Sequence, residues 1–359
     1  MEFQEILSRY KRIVDGNLAV FLEGKIKNAN DSFLKTSYSF LKEYALRGGK
    51  RVRPIATIMA YKAVGNSNEE KIYLPALSTE LFHCSSLIHD DIMDEDSLRR
   101  NKPSMHKLME KYFLRKSDEA SYNGDIFSKE SRRFSVSMAI LQGNILYSLA
   151  ESCLIESDFS KKMIVQAVEV ANNSYRTVNH GQMFDILLAG KSNLSEKEYL
   201  HMAANKTAKL IEGAIEIGAL FGNASLRQKT ALKNYAINAA LAFQIQDDII
   251  DVTEGMKKRR LGSDIRKGKM ALVTIKALSK ANKIQKNFLL GVIRNKNPSE
   301  SDIKKYINIA SQTKAIEHSK KTALEKIKMA KSCITEAGLK KESLKFFIDF
   351  ADFMVDRRI

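Results

Sequence analysis

Turn-forming residues are scarce in this chain of 359 residues, which contains only 17 glycines and 4 prolines. Together they make up about 6 % of the chain, against about 12 % in an average protein. Many-stranded β proteins need a tight turn between most successive strands, so the shortage argues against that class. It is typical of long helices joined by few connections.

Cysteine is also rare, because the chain has only Cys84, Cys153 and Cys333, which lie far apart. They form neither a disulfide framework nor a zinc-binding spacing, so we expect a reducing compartment. The N-terminus does not resemble a signal peptide. The longest uncharged run covers 17 residues, 134–150, and it is shorter and more polar than a membrane-spanning helix of about 20 apolar residues. We therefore expect a cytoplasmic protein.

Positive charge is in excess, with a formal net charge of +17. It is concentrated in residues 276–345, which carry 17 basic and 6 acidic residues. Such a stretch can bind nucleic acid or an anionic membrane surface. However, the lysines alternate with apolar residues as in amphipathic helices, and no zinc-finger or RNA-binding signature accompanies them. We expect solvated helix faces and no nucleic-acid partner.

Helical periodicity dominates the chain, and 44 % of the residues are hydrophobic, enough for a buried core. No linker interrupts the pattern, so we predict one all-α domain over residues 1–359. The one break in composition is the polar stretch 113–134, which we interpret as a surface insertion of about residues 108–134. The predicted helices are 7–29, 40–46, 54–64, 75–94, 134–156, 161–189, 196–222, 226–252, 270–294, 300–311, 315–336 and 341–356.

The sharpest motif is Asp-Asp-x-x-Asp, which occurs twice, each time after an apolar run. Its copies are Asp90, Asp91 and Asp94, and Asp247, Asp248 and Asp251. Residues i and i+4 share a helix face, and carboxylates packed together raise one another's pKa. A hard cation would neutralise them, and Mg²⁺ is held by one or two carboxylates together with waters and substrate phosphates. We therefore predict that two facing helices hold magnesium ions and clamp a diphosphate.

Basic residues suited to phosphate oxygens occur near the first motif. Residues 48–54 read Gly-Gly-Lys-Arg-Val-Arg-Pro, and Arg99-Arg100 follow Asp94. Glycine turns, a helix N-terminus and arginine forks all favour phosphate binding. Each charge-assisted hydrogen bond contributes about 1.5–3 kcal/mol. The nucleotide phosphate loop Gly-x-x-x-x-Gly-Lys-Ser/Thr is absent.

Together these motifs resemble the trans-isoprenyl diphosphate synthases, the head-to-tail polyprenyl synthetase family. The similarity runs from about residue 30 to 358 and leaves only the insertion unmatched. The loop after Asp251 lacks the family's second Gly-Lys, for which Lys257, Lys258 or Arg259 could substitute. Matching segments are 48–54, 80–94, 99–103, 181–185, 206–207, 243–251, 262–264, 268–269 and 351–358.

The resemblance implies an all-α barrel of antiparallel helices around a deep central cavity, usually a homodimer. It also implies how the substrates are held. Isopentenyl diphosphate would be bound by Lys50, Arg53, His83 and Arg100. The allylic diphosphate would be bound by Arg99, Lys206, Gln244 and Lys269, with Thr207 beside it. The six aspartates would reach it through two or three Mg²⁺ ions, and Gln182 and Asp185 would line the cavity near the reacting carbons.

The implied activity is condensation of an allylic diphosphate with isopentenyl diphosphate, and the released diphosphate would serve as the base. The growing product would run down the helix that carries Asp90. Ser85 and Ser86 are small and Phe82 is the first bulky residue below them, so we expect a product of C20 or somewhat longer. Alternatively, these serines face a neighbouring helix and another helix limits the product.

Other functions remain open at this point. A terpene cyclase or a squalene-type synthase also uses aspartate clusters, but it lacks an isopentenyl site of the kind that Lys50, Arg53 and His83 suggest. A non-catalytic partner subunit of a prenyl synthase often loses one aspartate cluster, whereas this chain keeps both. A basic helical nucleic-acid binder is supported by charge alone. Peripheral membrane contact for product release is a further expectation.

Overall fold

Helices make up nearly all the regular structure of this computed structural model, which describes residues 2–189, 191, 193–253, 261–295 and 297–356. The all-α prediction is therefore confirmed for the described part of the chain. The chain divides into two compact units. The first unit is Met1–Tyr61 with Asn66–Ala171, and the second unit is Lys62–Gly65 with Asn172–Ile359.

The first unit is built around two long helices, α4 and α6, that pack side by side. Asp31 caps α2 by accepting hydrogen bonds from the backbone N–H groups of Phe33 and Leu34. Helix α4 buries an apolar stripe that includes Leu77, Leu81 and Ile88. The elements are α1 (Phe3–Asn28), α2 (Ser32–Leu46), α3 (Val52–Ala63), a short 3₁₀ helix (Glu69–Ile72), α4 (Tyr73–Met93), β1 (Leu98–Arg99), β2 (Lys102–Pro103), α5 (Met105–Leu114), α6 (Glu130–Ile155) and the start of α7 (Lys161–Leu188).

The polar break in the sequence is narrower than predicted. Helix α5 extends to Leu114 and α6 begins at Glu130, so the irregular part is 115–129. This segment is tied to α6 because the Ser131 hydroxyl donates to Glu119 at 2.6 Å. Its origin as an insertion stays a prediction.

The second unit is organised around α10, which packs against α9, α15 and α16. Small residues such as Ala236, Ala239 and Ala240 are fully buried on α10 and allow this close packing. The elements are the end of α7, α8 (Glu196–Ala203), a π turn (Ala204–Ala208), α9 (Lys209–Phe221), α10 (Leu226–Thr253), α11 (Ser263–Arg266), α12 (Leu272–Lys280), α13 (Lys283–Arg294), α14 (Glu300–Gln312), α15 (Ala315–Ile334) and α16 (Lys341–Val355).

Two predicted helices are interrupted. The prediction of one helix over 270–294 is wrong, because Asn282 starts a new helix there by capping α13 in a capping box with Gln285. The predicted helix 196–222 contains the π turn at Ala204–Ala208. Such turns are common at functional sites.

Helix α6 is long and apolar enough to cross a membrane when judged by length and composition alone. In the structure 44 % of its most apolar stretch is buried, and α4 packs along it. A core helix passes the same test, so this one helix is weak evidence for a membrane span.

Candidate active site

The first aspartate motif lies at the C-terminal end of α4. Asp90 and Asp94 are half-buried, whereas Asp91 is fully buried. Asp91 Oδ1 accepts a hydrogen bond from Arg99 Nε at 2.7 Å, and its Oδ2 accepts one from the Tyr44 hydroxyl at 3.1 Å. Burial raises the pKa of Asp91 to about 6, although Arg99 and Tyr44 oppose the rise. Asp91 therefore holds the end of α4 in place through its hydrogen bonds, whereas Asp90 and Asp94 are more accessible.

The turn of the short β1–β2 hairpin brings Arg100 to the Gly48-Gly49 segment. Arg100 and Asn101 have left-handed backbones, with φ of 53° and 61°, a conformation that glycine adopts freely and asparagine tolerates well. The Arg100 guanidinium donates to the Gly48 carbonyl oxygen. A Cβ at Gly49 would lie 2.9 Å from the Arg100 guanidinium, which would have to shift, and the φ of 116° at Gly49 favours glycine.

Arg51 is not available to a ligand, because it is buried and surrounded by partners. Its Nε donates to Asp15 at 2.7 Å, its Nη1 to Glu80 at 2.5 Å and its Nη2 to the Ala45 carbonyl at 2.7 Å. Glu80 is also buried and lies 3.7 Å from Arg100. The sequence grouped Arg51 with the phosphate-binding cations, but the structure uses it to hold helices together.

Arg53 and His83 form an electropositive cluster with Arg100. Burial lowers the pKa of Arg53 to about 10, with Glu80 opposing and Arg100 adding to the shift. Burial, followed by the charges of Arg53 and Arg100, lowers the pKa of His83 well below its usual 6.5. Within the described residues the Arg53 Nε has no hydrogen-bond acceptor. Arg53 as a whole is half-buried, but its buried Nε donor, which has no acceptor among these residues, fits an anionic ligand.

The second motif lies on the last turns of α10. Asp247 is half-buried, and Asp248 and Asp251 are buried. Asp248 accepts hydrogen bonds from the Tyr199 hydroxyl at 2.6 Å and from Gln244 Nε2 at 2.9 Å. Burial raises the pKa of Asp248 to about 8, with Asp264 adding to the rise and Tyr199 and Gln244 opposing it. Again the second carboxylate is an anchor and the first is accessible.

The π turn brings further predicted residues together within the second unit. Lys206 Nζ lies 2.6 Å from Asp185 Oδ2, and the Thr207 hydroxyl donates to Gln244 Oε1 at 2.7 Å. The turn touches α7, because a Cβ at Gly181 would lie only 2.2 Å from the Lys206 backbone nitrogen. Sequence patterns alone did not reveal that this glycine is sterically required.

Gln182 and Lys269 complete the predicted set in this unit. Gln182 is buried, and its Nε2 finds no acceptor in the part of the chain that the structure describes. The backbone N–H of Lys269 donates to the Asp264 carbonyl at 3.0 Å, and the N–H of Asp264 donates to Asp251 at 3.1 Å. Lys269 is thus placed on the loop that packs against the second motif. The candidates Lys257, Lys258 and Arg259, and the C-terminal Arg357 and Arg358, lie outside the described residues.

Residues 35–310 match the polyprenyl synthetase family. The chain belongs to this family. It is 30 % identical to the short chain isoprenyl diphosphate synthase of Methanothermobacter thermautotrophicus over 354 residues, which is 98 % of each chain. Its structure is similar to a geranylgeranyl pyrophosphate synthetase from Pyrococcus horikoshii, with a TM-score of 0.83, 27 % identity and coverage of 99 % of this chain and 100 % of that chain.

A third comparison is with a geranylgeranyl pyrophosphate synthase from Corynebacterium glutamicum, whose crystal structure is a complex with isoprenyl diphosphate and magnesium. The TM-score is 0.88 at 23 % identity, and the similarity covers 100 % of both chains. The structural similarities confirm that this polyprenyl synthetase has the all-α isoprenoid synthase fold. The family match and the relatives at 27–30 % identity confirm that it is a prenyltransferase. The resemblance inferred from the motifs is correct.

The described side chains of this polyprenyl synthetase can hold magnesium if a bound ligand supplies further oxygens. In the described ranges no three histidine, cysteine, aspartate or glutamate side chains are close enough to hold a metal by themselves. Carboxylate oxygens are hard donors, and Mg²⁺ typically binds one or two of them and completes its shell with waters and phosphate oxygens. The accessible Asp90 and Asp247 are suited to this role.

Proposed function

We propose that this polyprenyl synthetase condenses an allylic diphosphate with isopentenyl diphosphate in a Mg²⁺-dependent reaction. The proposed product is a trans-prenyl diphosphate of C20 or somewhat longer. The observation that supports it best is that both aspartate motifs have the same architecture. Each has a half-buried first carboxylate, Asp90 or Asp247, and a buried second one, Asp91 or Asp248, that a tyrosine from another helix fixes.

The aspartates would divide into two roles. Asp90, Asp94 and Asp247 are accessible enough to hold ions, whereas the buried residues Asp91, Asp248 and Asp251 would orient the helix ends through their hydrogen bonds. Two or three Mg²⁺ ions, when bound, would offset the charge that develops on the departing diphosphate. We assign the allylic diphosphate to the ions and to Arg99, Lys206 and Lys269, and we assign Thr207 and Gln244 to positioning.

The electropositive cluster of the first unit would bind the diphosphate of isopentenyl diphosphate. The unused Arg53 Nε donor supports this assignment, together with the adjacent Arg100 and the exposed Lys50. His83 is neutral near pH 7 because its pKa is lowered, so it can donate one hydrogen bond without adding to the repulsion among the cations. A diphosphate would compensate the charge of this cluster.

The chain does not need a nucleophile for this chemistry. Ionisation of the allylic diphosphate leaves a carbocation, the double bond of isopentenyl diphosphate attacks it, and a proton is lost to the released diphosphate. Asp185 is held by Lys206 at 2.6 Å, which disfavours its use as the base. Asp185 and Gln182 would instead line the cavity near the reacting carbons and help to exclude water.

The assembly and location of the enzyme are also proposals. Helix α6 exposes the apolar side chains of Ile140 and Leu141, which would be covered in a homodimer. Helix α15 exposes Leu324 beside Lys320 and Lys328, a combination suited to transient contact with an anionic membrane during product release. We propose a cytoplasmic enzyme with this peripheral contact.

Incubation with radiolabelled isopentenyl diphosphate, each allylic starter and Mg²⁺, followed by product sizing, tests the proposed reaction. We expect incorporation into a prenyl diphosphate of C20 or longer, and its loss on chelation of Mg²⁺. Incorporation only in the presence of a second synthase subunit would instead indicate a non-catalytic partner. Conversion of the allylic diphosphate to hydrocarbon without incorporation would indicate a cyclase. Either result would contradict the proposal.

A further inference from the structure

Helices α4 and α6 of the first unit pack in a register that three contacts define. His89 Nε2 lies 3.3 Å from the Ile140 carbonyl oxygen, and a Cβ at Gly143 would lie 2.2 Å from His89 Nε2. The rings of Phe82 and Tyr147 meet edge to face, with centroids 5.1 Å apart and an interplanar angle of 70°. Residues later in α4 thus contact residues earlier in α6, so the two helices run antiparallel.

Two small residues lie between the outer contacts of this register. Ser86 lies between His89 and Phe82 on α4, and Gly143, which faces His89, lies between Ile140 and Tyr147 on α6. Ser86 is half-buried. One turn further along α4, about 5.4 Å away, the two rings close the seam, and Phe82 is only 3 % exposed.

We propose that Tyr147 limits product length together with Phe82, as the second half of one aromatic barrier. This inference rests on the proposed function and on the expectation from the family resemblance that the product grows along α4 past Ser86. A chain that grows past Ser86 toward Phe82 meets both rings, because Phe82 and Tyr147 are in contact. Because Tyr147 is half-buried, its ring can turn into the space that a lost Phe82 ring leaves. The barrier therefore opens fully only when both rings are removed.

The experiment compares products of Phe82→Ala, Tyr147→Ala and the double variant, measured as chain length and as total incorporation. We expect the double variant to give products at least one five-carbon unit longer than either single variant. Tyr147→Phe keeps the ring and should keep the wild-type length. Phe159→Ala is the matched control, because it removes another edge-to-face pair of the first unit, with Tyr61 at 6.1 Å, and should change neither length nor incorporation.

Products of the double variant that are no longer than those of Phe82→Ala would overturn the role of Tyr147. If the double alanine variant does not fold, the double variant Phe82→Leu with Tyr147→Leu conserves more side-chain volume. It should likewise give longer products than either single leucine variant. Failure of the proposed function has a different signature, because the wild-type enzyme would then incorporate no isopentenyl diphosphate. Wild-type incorporation with unchanged lengths in every variant refutes this inference alone.

Discussion

Gly181 offers the sharpest structural test of the second half of the site. A Cβ at this position would lie 2.2 Å from the Lys206 backbone nitrogen and 2.5 Å from its Cα. These are backbone atoms, so no side chain can rotate away. Ordinary contact begins near 3.4 Å, so in Gly181→Ala the π turn and α7 must separate by about 1.2 Å. The ion pair between Lys206 and Asp185 lies across this same contact.

The expected effect on stability and turnover follows from that separation. Overpacking a close contact costs about 1–3 kcal/mol of stability, and displacement of a positioning group by about 1 Å costs about 100-fold in rate. We therefore expect Gly181→Ala to lower the free energy of unfolding and to reduce turnover about 100-fold. Steady-state incorporation of labelled isopentenyl diphosphate and denaturant unfolding measure the two quantities.

Gly16→Ala and Gly291→Ala are matched controls, since a Cβ at either position meets no atom within 4 Å. Both glycines lie within helices, where alanine is favoured by about 0.5–1 kcal/mol. These variants should keep full turnover and unfold at higher denaturant concentration. Wild-type turnover in Gly181→Ala would refute the reasoning, because the close contact would then have no part in the active geometry.

Two further predictions concern stability. Arg51→Met leaves Glu80 buried without its closest cation and should lower the free energy of unfolding by about 3–5 kcal/mol. A denaturant titration that gives the wild-type free energy of unfolding would contradict this. His83 has a lowered pKa in the folded protein, so below pH 6.5 the unfolded chain gains a proton that folded His83 does not accept. The contribution of His83 to stability should therefore fall as the pH drops from 7 to 5, whereas the raised pKa values of Asp91 and Asp248 act in the opposite direction. The wild-type free energy of unfolding minus that of His83→Gln should decrease over this range. Identical pH slopes in the two proteins would show that His83 is not the cause.

Local sequence patterns were sufficient for the motifs and for the helices that carry them. The apolar runs before Asp90 and Asp247 predicted α4 and α10, because helix periodicity is a short-range signal. Asparagine suits the left-handed backbone at position 101, where φ is 61°. These features depend on residues that are close in the chain.

Contacts between distant segments were not predictable in the same way. Tyr44 lies 47 residues before Asp91, and Tyr199 lies 49 residues before Asp248, so no local pattern connects either pair. The internal role of Arg51 depends on Glu80, which belongs to a different helix. Tertiary packing decides these partners, and only the structure identifies them.

The measurement that tests the central claim most directly is turnover of Asp90→Ala and Asp247→Ala against Asp158→Ala, with Mg²⁺ present. Asp158 is the control, since it is an exposed surface residue that, among the residues the structure describes, forms one ion pair, with Lys71 at 2.8 Å. Loss of a group that stabilises transition-state charge costs about 10²–10³-fold in rate. We expect losses of that size in the first two variants, with helix content by circular dichroism unchanged and Asp158→Ala fully active. Wild-type Mg²⁺-dependent turnover in both motif variants would contradict the account.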